Sequence, residues 1–451
     1  MSSEGEITLT KPWEAGKLTV HPNQTYLVNG DQPFFWLGDT AWTLFQRLSI
    51  HHAKTYLINR KEKGFNVIQS ILINVAHKED PVSHQQIENE DVLKTIAPDN
   101  DSYWKRVVEL VDFAASEGIY FALLPVWGKV AKKGYLHERN VEAYADFLAE
   151  TFKDKPNILW LLGGDTRGDL EPELWDVFGQ KLKTSMPDIL VGYHPFGRTS
   201  SSYWFHEKEW LDFNMFQSGH RRYDQPALQS WDDAYAQEPW YGEDNWQYVL
   251  HDLAKAPTKP VMDGEPSYEQ IPQGLHDSSE PYWQAHHTRR YAYWSVLSGA
   301  FGHTYGHNAI FQFNGVGYKS EYGVNATWAE ALHASGGNQM QYLKELMLEI
   351  QFQECERMQS ILYPEEALEP KEDKILAFGS DQHLVVYTYS GKNFSLYNPD
   401  ANANYKAYWI DPVNGSRSYT GLYSLNEAVS FQPPSKDTDF TDWVLLLVAT
   451  E

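Results

Sequence analysis

Asn157-Ile-Leu-Trp-Leu-Leu-Gly-Gly-Asp165-Thr-Arg167-Gly-Asp169 is a short apolar run closed by two glycines and a carboxylate. A run of five apolar residues is too short for a helix and has no polar alternation, so it reads as a strand buried on both faces, as in a parallel sheet. Helix-like periodicity flanks it, over residues 137–152 before and 171–186 after. The same unit recurs along the chain. Apolar runs at 34–37, 67–73, 119–126, 158–162, 189–193, 213–216, 260–262 and 301–305 make eight candidate strands. Helical segments lie between them, at 50–63, 103–117, 137–152, 171–186, 244–255 and 282–297. In the clearest, Trp104, Val107, Val108, Leu110, Val111 and Ala114 recur at three and four, with Gly118 as the stop. Eight strand and helix units in about 350 residues imply an α/β fold, a closed (β/α)8 barrel with its chemistry at the strand C-termini.

Outside this region the pattern changes. After Gln359 short alternating runs are broken by Gly391, Pro399, Asp411-Pro412, Asn414-Gly415 and Pro433-Pro434, which predicts a small antiparallel β-sandwich. Before the barrel, residues 18–20 and 26–28 read as a hairpin that closes the barrel bottom or packs on the sandwich. The expected organisation is an N-terminal segment over 1–30, a catalytic barrel over 31–355 and a sandwich over 356–451.

The chain has 451 residues, and 37 Lys plus Arg against 61 Asp plus Glu give a net charge of −24, the wrong sign for nucleic acid phosphates. No apolar run reaches the roughly 18 to 20 residues of a spanning helix, and residues 1–12 lack a signal-peptide pattern. As written, the chain is expected to be cytoplasmic, or exported if a leader was trimmed. Cys355 is the single cysteine, which excludes an internal disulfide and a thiolate metal cluster. Aromatic residues are 15% of the chain, which suits either stacking on sugar faces or a large core. Oligomeric state is not legible.

The residues after the candidate strands are polar and ring-rich: Asp39 and Trp42, His77, Trp127, Asp165, His194, Gln217 and His220, Glu265, then His303 with His307. Two strand ends carry a carboxylate directly after glycine, Gly164-Asp165 and Gly264-Glu265. They are 100 residues apart, three units of the repeat, and so belong to the fourth and seventh strands. Glycoside hydrolysis needs one carboxyl group to protonate the leaving oxygen and a second to attack or activate water; in retaining enzymes they stand about 5 to 5.5 Å apart. Other readings exist for each residue. Asp165 can cap the following helix, with Asp169 as its rival; Asp263 and Glu269 are rivals of Glu265. Asp39 reads as a helix cap or a contact to a sugar hydroxyl, and Trp42 and Trp127 as rim packing or stacking platforms. His303-Thr-Tyr-Gly-His307 lacks the Glu of a HExxH site, so no metal and no cofactor is expected. One of His303 and His307, with His194 or Tyr305, is instead expected to hydrogen-bond the nucleophile or the sugar. Arg167, Arg221 and Arg222 pair with acids or meet a carboxylated sugar.

Phe35-Trp-Leu-Gly-Asp39-Thr-Ala-Trp42, Gly64-Phe-Asn-Val-Ile-Gln69, Gly163-Gly-Asp165-Thr-Arg167 and Gly264-Glu265-Pro-Ser-Tyr268 together resemble the apiosidase-like glycoside hydrolases. That resemblance implies a (β/α)8 barrel and a retaining mechanism with Asp165 as acid/base and Glu265 as nucleophile. Many relatives in that clan have Asn-Glu where this chain has Gly164-Asp165. The resemblance also implies a carbohydrate substrate, with release of apiose-linked side chains from pectin as the family's characterised activity. The C-terminal part is similar to domains catalogued as collagen-binding modules, read here as structural support or a sugar-binding module. The alternatives are a catalytically silent carbohydrate-binding scaffold and, from the histidines, a lyase or metal hydrolase.

Overall fold

The structure, a computed structural model, describes residues 11–74, 91–97, 100–225, 240, 242–363, 371–401, 403–435 and 442–450. The N-terminal part is a three-stranded antiparallel sheet, β1 (Leu18–Val20), β2 (Leu27–Asn29) and β3 (Gln32–Phe34). The expected hairpin is therefore one strand larger; the proline in β3 sits at an edge, where its missing N–H costs no ladder bond. This sheet closes the bottom of the barrel. Asn29 donates to the Tyr120 hydroxyl at 2.5 Å, and Phe34 packs edge-on against the same ring.

The eight expected strands are all present: β4 (Trp36–Thr40), β5 (Val67–Ile71), β6 (Tyr120–Leu124), β7 (Ile158–Gly163), β8 (Val191–His194), β10 (Asn214–Gln217), β11 (Val261–Asp263) and β12 (Gly302–Tyr305). They are parallel neighbours in the order β8-β7-β6-β5-β4-β12-β11-β10, with β9 (Thr199–Ser200) added antiparallel beside β10. The barrel closes between β8 and β10 through Asp212, whose N–H donates to the Val191 carbonyl at 2.9 Å and whose carboxylate accepts the Val191 N–H at 2.7 Å. Helices cover the outside. The helix Asp101–Ser116 buries Trp104, Val107, Leu110, Val111 and Ala114, the face its periodicity predicted, and ends at Gly118 with φ 78°.

Strand parity decides what reaches the interior. In β4, Trp36 points inward against Phe213 and Phe301, so Gly38 and Thr40 follow it in, while Leu37 and Asp39 face the helices. The interior is apolar low down and polar at the strand C-termini, where Gln69 donates across to the Gly264 carbonyl at 2.9 Å.

The C-terminal part has a six-stranded sheet, ordered β13 (Glu356–Arg357), β15 (Ile375–Gly379), β16 (His383–Thr388), β21 (Trp443–Ala449), β18 (Asn404–Ile410) and β19 (Arg417–Ser424). A smaller sheet, β14 (Leu362–Tyr363), β17 (Phe394–Leu396) and β20 (Val429–Phe431), covers one of its faces. The other face does not meet water. Leu376, Phe378, Val385, Tyr387, Val444 and Leu446 join the core of the barrel. Tyr387 stacks on Tyr293 of the helix Ala285–Val296, rings 4.5 Å apart, and Arg289 of that helix grips Asp442 at 2.7 and 2.8 Å. The sandwich thus shares its core with the barrel.

Candidate active site

Each carboxylate stands one step beyond its strand. Gly163 and Gly164, with φ 82° and 97°, turn the chain sharply at the end of β7. A side chain at 163 would meet the His194 carbonyl at 2.5 Å, and one at 164 the Trp127 ring at 2.7 Å. Only glycine fits both. Asp165 follows with φ 50°, a left-handed conformation that Asp tolerates better than most residues. At the end of β11, Gly264 lies against Met215, and Glu265 enters from the opposite wall.

Glu265 is buried between two histidines. His194 Nε2 lies 3.1 Å from one carboxylate oxygen and His220 Nε2 3.3 Å from the other. Their far nitrogens are also occupied: the Asp165 N–H donates to His194 Nδ1 at 3.3 Å, and the Tyr268 N–H to His220 Nδ1 at 3.4 Å. A nitrogen that accepts from a backbone N–H carries no proton, so His220 hydrogen-bonds Glu265 through an Nε2–H, while His194 Nε2 stands in ion-pair range of the other oxygen without hydrogen-bond geometry. Burial alone would raise the acid's pKa, but the two imidazoles outweigh it and bring it down to about 2. The Tyr268 hydroxyl touches Glu265 as well, and accepts from Trp42 Nε1 at 3.1 Å.

Asp165 has the opposite balance. Its side chain is exposed at the cleft, which Gln217 also lines. Loss of hydration first, and the negative charge of Glu265 second, push its pKa up to about 6. The cleft in front of it holds about 270 Å³ and is lined by Phe196, Arg198, Gln217, His220, Arg221 and Tyr322, among others. Trp42, Trp127 and His194 form an aromatic cluster beside Glu265, with ring centroids 5.2 to 5.8 Å apart.

Seven of the singled-out residues therefore meet at the mouth: Asp165, Glu265, Trp42, Trp127, His194, Gln217 and His220. Others do not. Asp39 is neither a cap nor exposed to a sugar. It is fully buried on the outer side of β4, with Arg60 Nε at 2.5 Å and the Tyr56 hydroxyl at 2.6 Å. Tyr305 also faces outward, donating to Glu269 at 2.5 Å, which removes Glu269 from the cleft as well. His307 is buried and its ring caps the short helix Asn308–Phe311, accepting from the Ala309 N–H at 3.0 Å. Asp263 points away from the barrel axis to Ser218 and Asn245. Arg167 pairs with Asp169, and Arg222 with Asp224 and Glu280. Asp165 caps nothing, because the next helix starts at Pro172. His77 lies outside the described residues. Tyr268, Tyr322 and Arg198 went unassigned in the sequence; Tyr268 was visible as the last residue of the Gly264-to-Tyr268 motif. Among the described residues no cluster of three or more His, Cys, Asp or Glu has metal-binding geometry.

Residues 21–354 match the model of the apiosidase-like catalytic domain. The chain belongs to the apiosidase-like family. Residues 359–448 match a second model, described as "Putative collagen-binding domain of a collagenase". Two solved structures are similar over almost the whole length. One is a glycoside hydrolase, 38% identical, TM-score 0.89, with 98% of each chain covered. The other is a glycoside hydrolase family 5 protein from Bacteroides vulgatus, 38% identical, TM-score 0.88, covering 98% of this chain and 95% of that one. Among curated proteins nothing matches. This apiosidase-like chain is a glycoside hydrolase with a carbohydrate substrate. No helix among its described residues is long and apolar enough to cross a membrane.

Proposed function

We propose that this apiosidase-like protein is a retaining glycosidase in which Glu265 is the nucleophile and Asp165 the acid/base. One observation carries the reading: the charge of Glu265 acts on Asp165 beside a cleft lined by Asp165 and by His220, the neighbour of Glu265, and the two proton affinities are pushed in opposite directions, to about 2 and about 6. Between those values Glu265 is ionised and Asp165 holds a proton, the division of labour that double displacement requires. In the first step Glu265 forms a bond to the anomeric carbon while the departing oxygen takes the Asp165 proton. In the second, water adds to that carbon, gives its proton back to Asp165 and releases Glu265. The Nε2 hydrogen bond of His220 and the nearby His194 ring hold the carboxylate ionised and aimed before attack.

For the substrate we favour pectin side chains, as in apiosidase-like activity. Arg198 and Arg221 line the same cleft as Asp165, and a guanidinium there suits the carboxylate of a uronate, which pectin supplies. Wild type and Glu265→Gln, incubated with pectin side-chain fragments and aryl glycosides, test both parts. The expected result is cleavage with retained anomeric configuration by NMR, abolished in the variant. Inverted product would exclude the nucleophile assignment, and no cleavage of any pectin fragment alongside activity on neutral glycosides would exclude the substrate.

A further inference from the structure

The turn that carries His220 is held at both ends. At its start, the Gly219 carbonyl accepts from the Ser267 hydroxyl at 2.8 Å, and the Gly219 N–H donates to the Glu265 carbonyl at 3.1 Å. At its end, three residues past His220, Tyr223 is fixed twice to Glu243: its N–H donates to the side chain at 2.6 Å and its hydroxyl to the backbone carbonyl at 2.7 Å. The second carboxylate oxygen of Glu243 pairs with Arg290, and both side chains are almost completely buried. Burying such a pair is costly unless it is shielded and well placed. Trp294 and Tyr291 of the same helix shield it at 5.2 and 5.6 Å, and the sandwich adds the nearest ring: Tyr389 lies over the Arg290 guanidinium at 4.7 Å, with its hydroxyl 2.7 Å from His286 Nδ1. Lys371, from the same C-terminal part, stands 4.2 Å above the Tyr223 ring.

We propose that the C-terminal sandwich is a positioning element of the active site: Tyr389, laid across Arg290, holds through Glu243 and Tyr223 the turn that aims His220 at Glu265. The relay is Tyr389, Arg290, Glu243, Tyr223, His220, and every link in it is a contact or a three-residue backbone span. The consequence for catalysis rests on the reading of Glu265 as nucleophile; the aim of His220 does not. Tyr389 and Arg290 touch no substrate and act through His220. The neighbouring grip of Arg289 on Asp442 crosses the same junction one residue from Arg290, and serves as a comparison for the loss of an ion pair there.

The test is carried out on the full chain labelled with 15N-histidine, the His220 signals being located by their loss in His220→Gln. Wild type is expected to show His220 as a single tautomer with the proton on Nε2. Tyr389→Ala and Tyr389→Leu, the second keeping apolar cover if the first fails to fold, are expected to lose that single-tautomer pattern. In both, kcat falls about tenfold with KM within about twofold. Tyr389→Phe, which keeps the ring over Arg290, is expected to restore both readouts. Asp442→Asn is expected to lower Tm and leave the His220 signals unchanged. A folded Tyr389→Leu protein with wild-type His220 signals would overturn the proposal. Equal disturbance of His220 by Asp442→Asn would also overturn it, reducing the junction to general stability. If Glu265→Gln kept full activity the mechanism would fall, while the histidine signals would still decide the positioning.

Discussion

Asp165 and Glu265 start from the same local sequence, a glycine and then an acid at the end of a buried strand, and end with opposite affinities for a proton. The difference lies in what each wall of the barrel supplies. Glu265 faces two imidazole Nε2 atoms, one of them in a hydrogen bond, and each ring is locked by a backbone N–H on its far side. Asp165, exposed at the cleft, receives partial loss of hydration and the charge of Glu265 itself. One of those locks is the Asp165 backbone, so the turn that places the acid also fixes the tautomer of a histidine serving the nucleophile. A strand-end acid is not informative alone; its neighbours assign its role.

The comparison can be broken most severely by removing either partner. Glu265→Gln is expected to reduce turnover by roughly four to six orders of magnitude, as when a nucleophile is lost. Asp165→Asn is expected to cost about 10² to 10⁴ on substrates with poor leaving groups, and far less on activated aryl glycosides, which depart without a proton. Equal losses on both substrate types, read as kcat/KM, would contradict the acid role.

The pH profile sharpens the contrast. Activity needs Glu265 ionised and Asp165 protonated, so it rises as pH climbs through about 2 and falls as pH climbs through about 6. His194→Gln removes one source of the lowering, so the acid limb should move upward; a limb that stays in place would show that His194 does not hold the carboxylate.

The smallest effect concerns stability, and here the two residues should differ in sign. The folded pKa of Glu265 is depressed from 4.5, so its contribution is present above pH 4.5 and is lost as pH falls towards 2. The folded pKa of Asp165 is raised from 3.8, so stability is lost as pH climbs from 3.8 to about 6 and the full cost stands above that. At pH 7 Asp165→Asn should raise Tm and Glu265→Gln should lower it, each by a few degrees. The Asp165 gain is on the order of 1 kcal/mol, because that side chain keeps one side open to water.

All eight barrel strands were legible in the sequence because fully buried parallel strands leave continuous apolar runs ended by glycine. Their bounds were less so: β4 runs on through Asp39 and Thr40, since polar residues can extend a strand when buried partners such as Arg60 satisfy them. The edge strand β19 was missed because Arg417–Ser424 is largely exposed and polar, with no hydrophobic alternation. At the site, two of the failures share one cause. Asp39 and Tyr305 sit on strands apolar on both faces, so nothing in their own sequence states which parity points inward. The residues that did converge, Asp165, Glu265, Trp42, Trp127, His194, Gln217 and His220, end a strand on its inward parity or lie beyond it. The partnership of His220 with a turn braced by the sandwich needed the three-dimensional structure, because Tyr223, Glu243, Arg290 and Tyr389 are scattered over more than a third of the chain.

The most direct test is a titration of Asp165 by carbon-13 NMR on protein labelled at the aspartate carboxyl carbon, with Asp165→Asn to identify its signal. The account predicts a midpoint near 6 in wild type that falls in Glu265→Gln yet stays above 3.8, because lost hydration outlasts the lost charge. A midpoint near 4 in wild type, unmoved by Glu265→Gln, would contradict it.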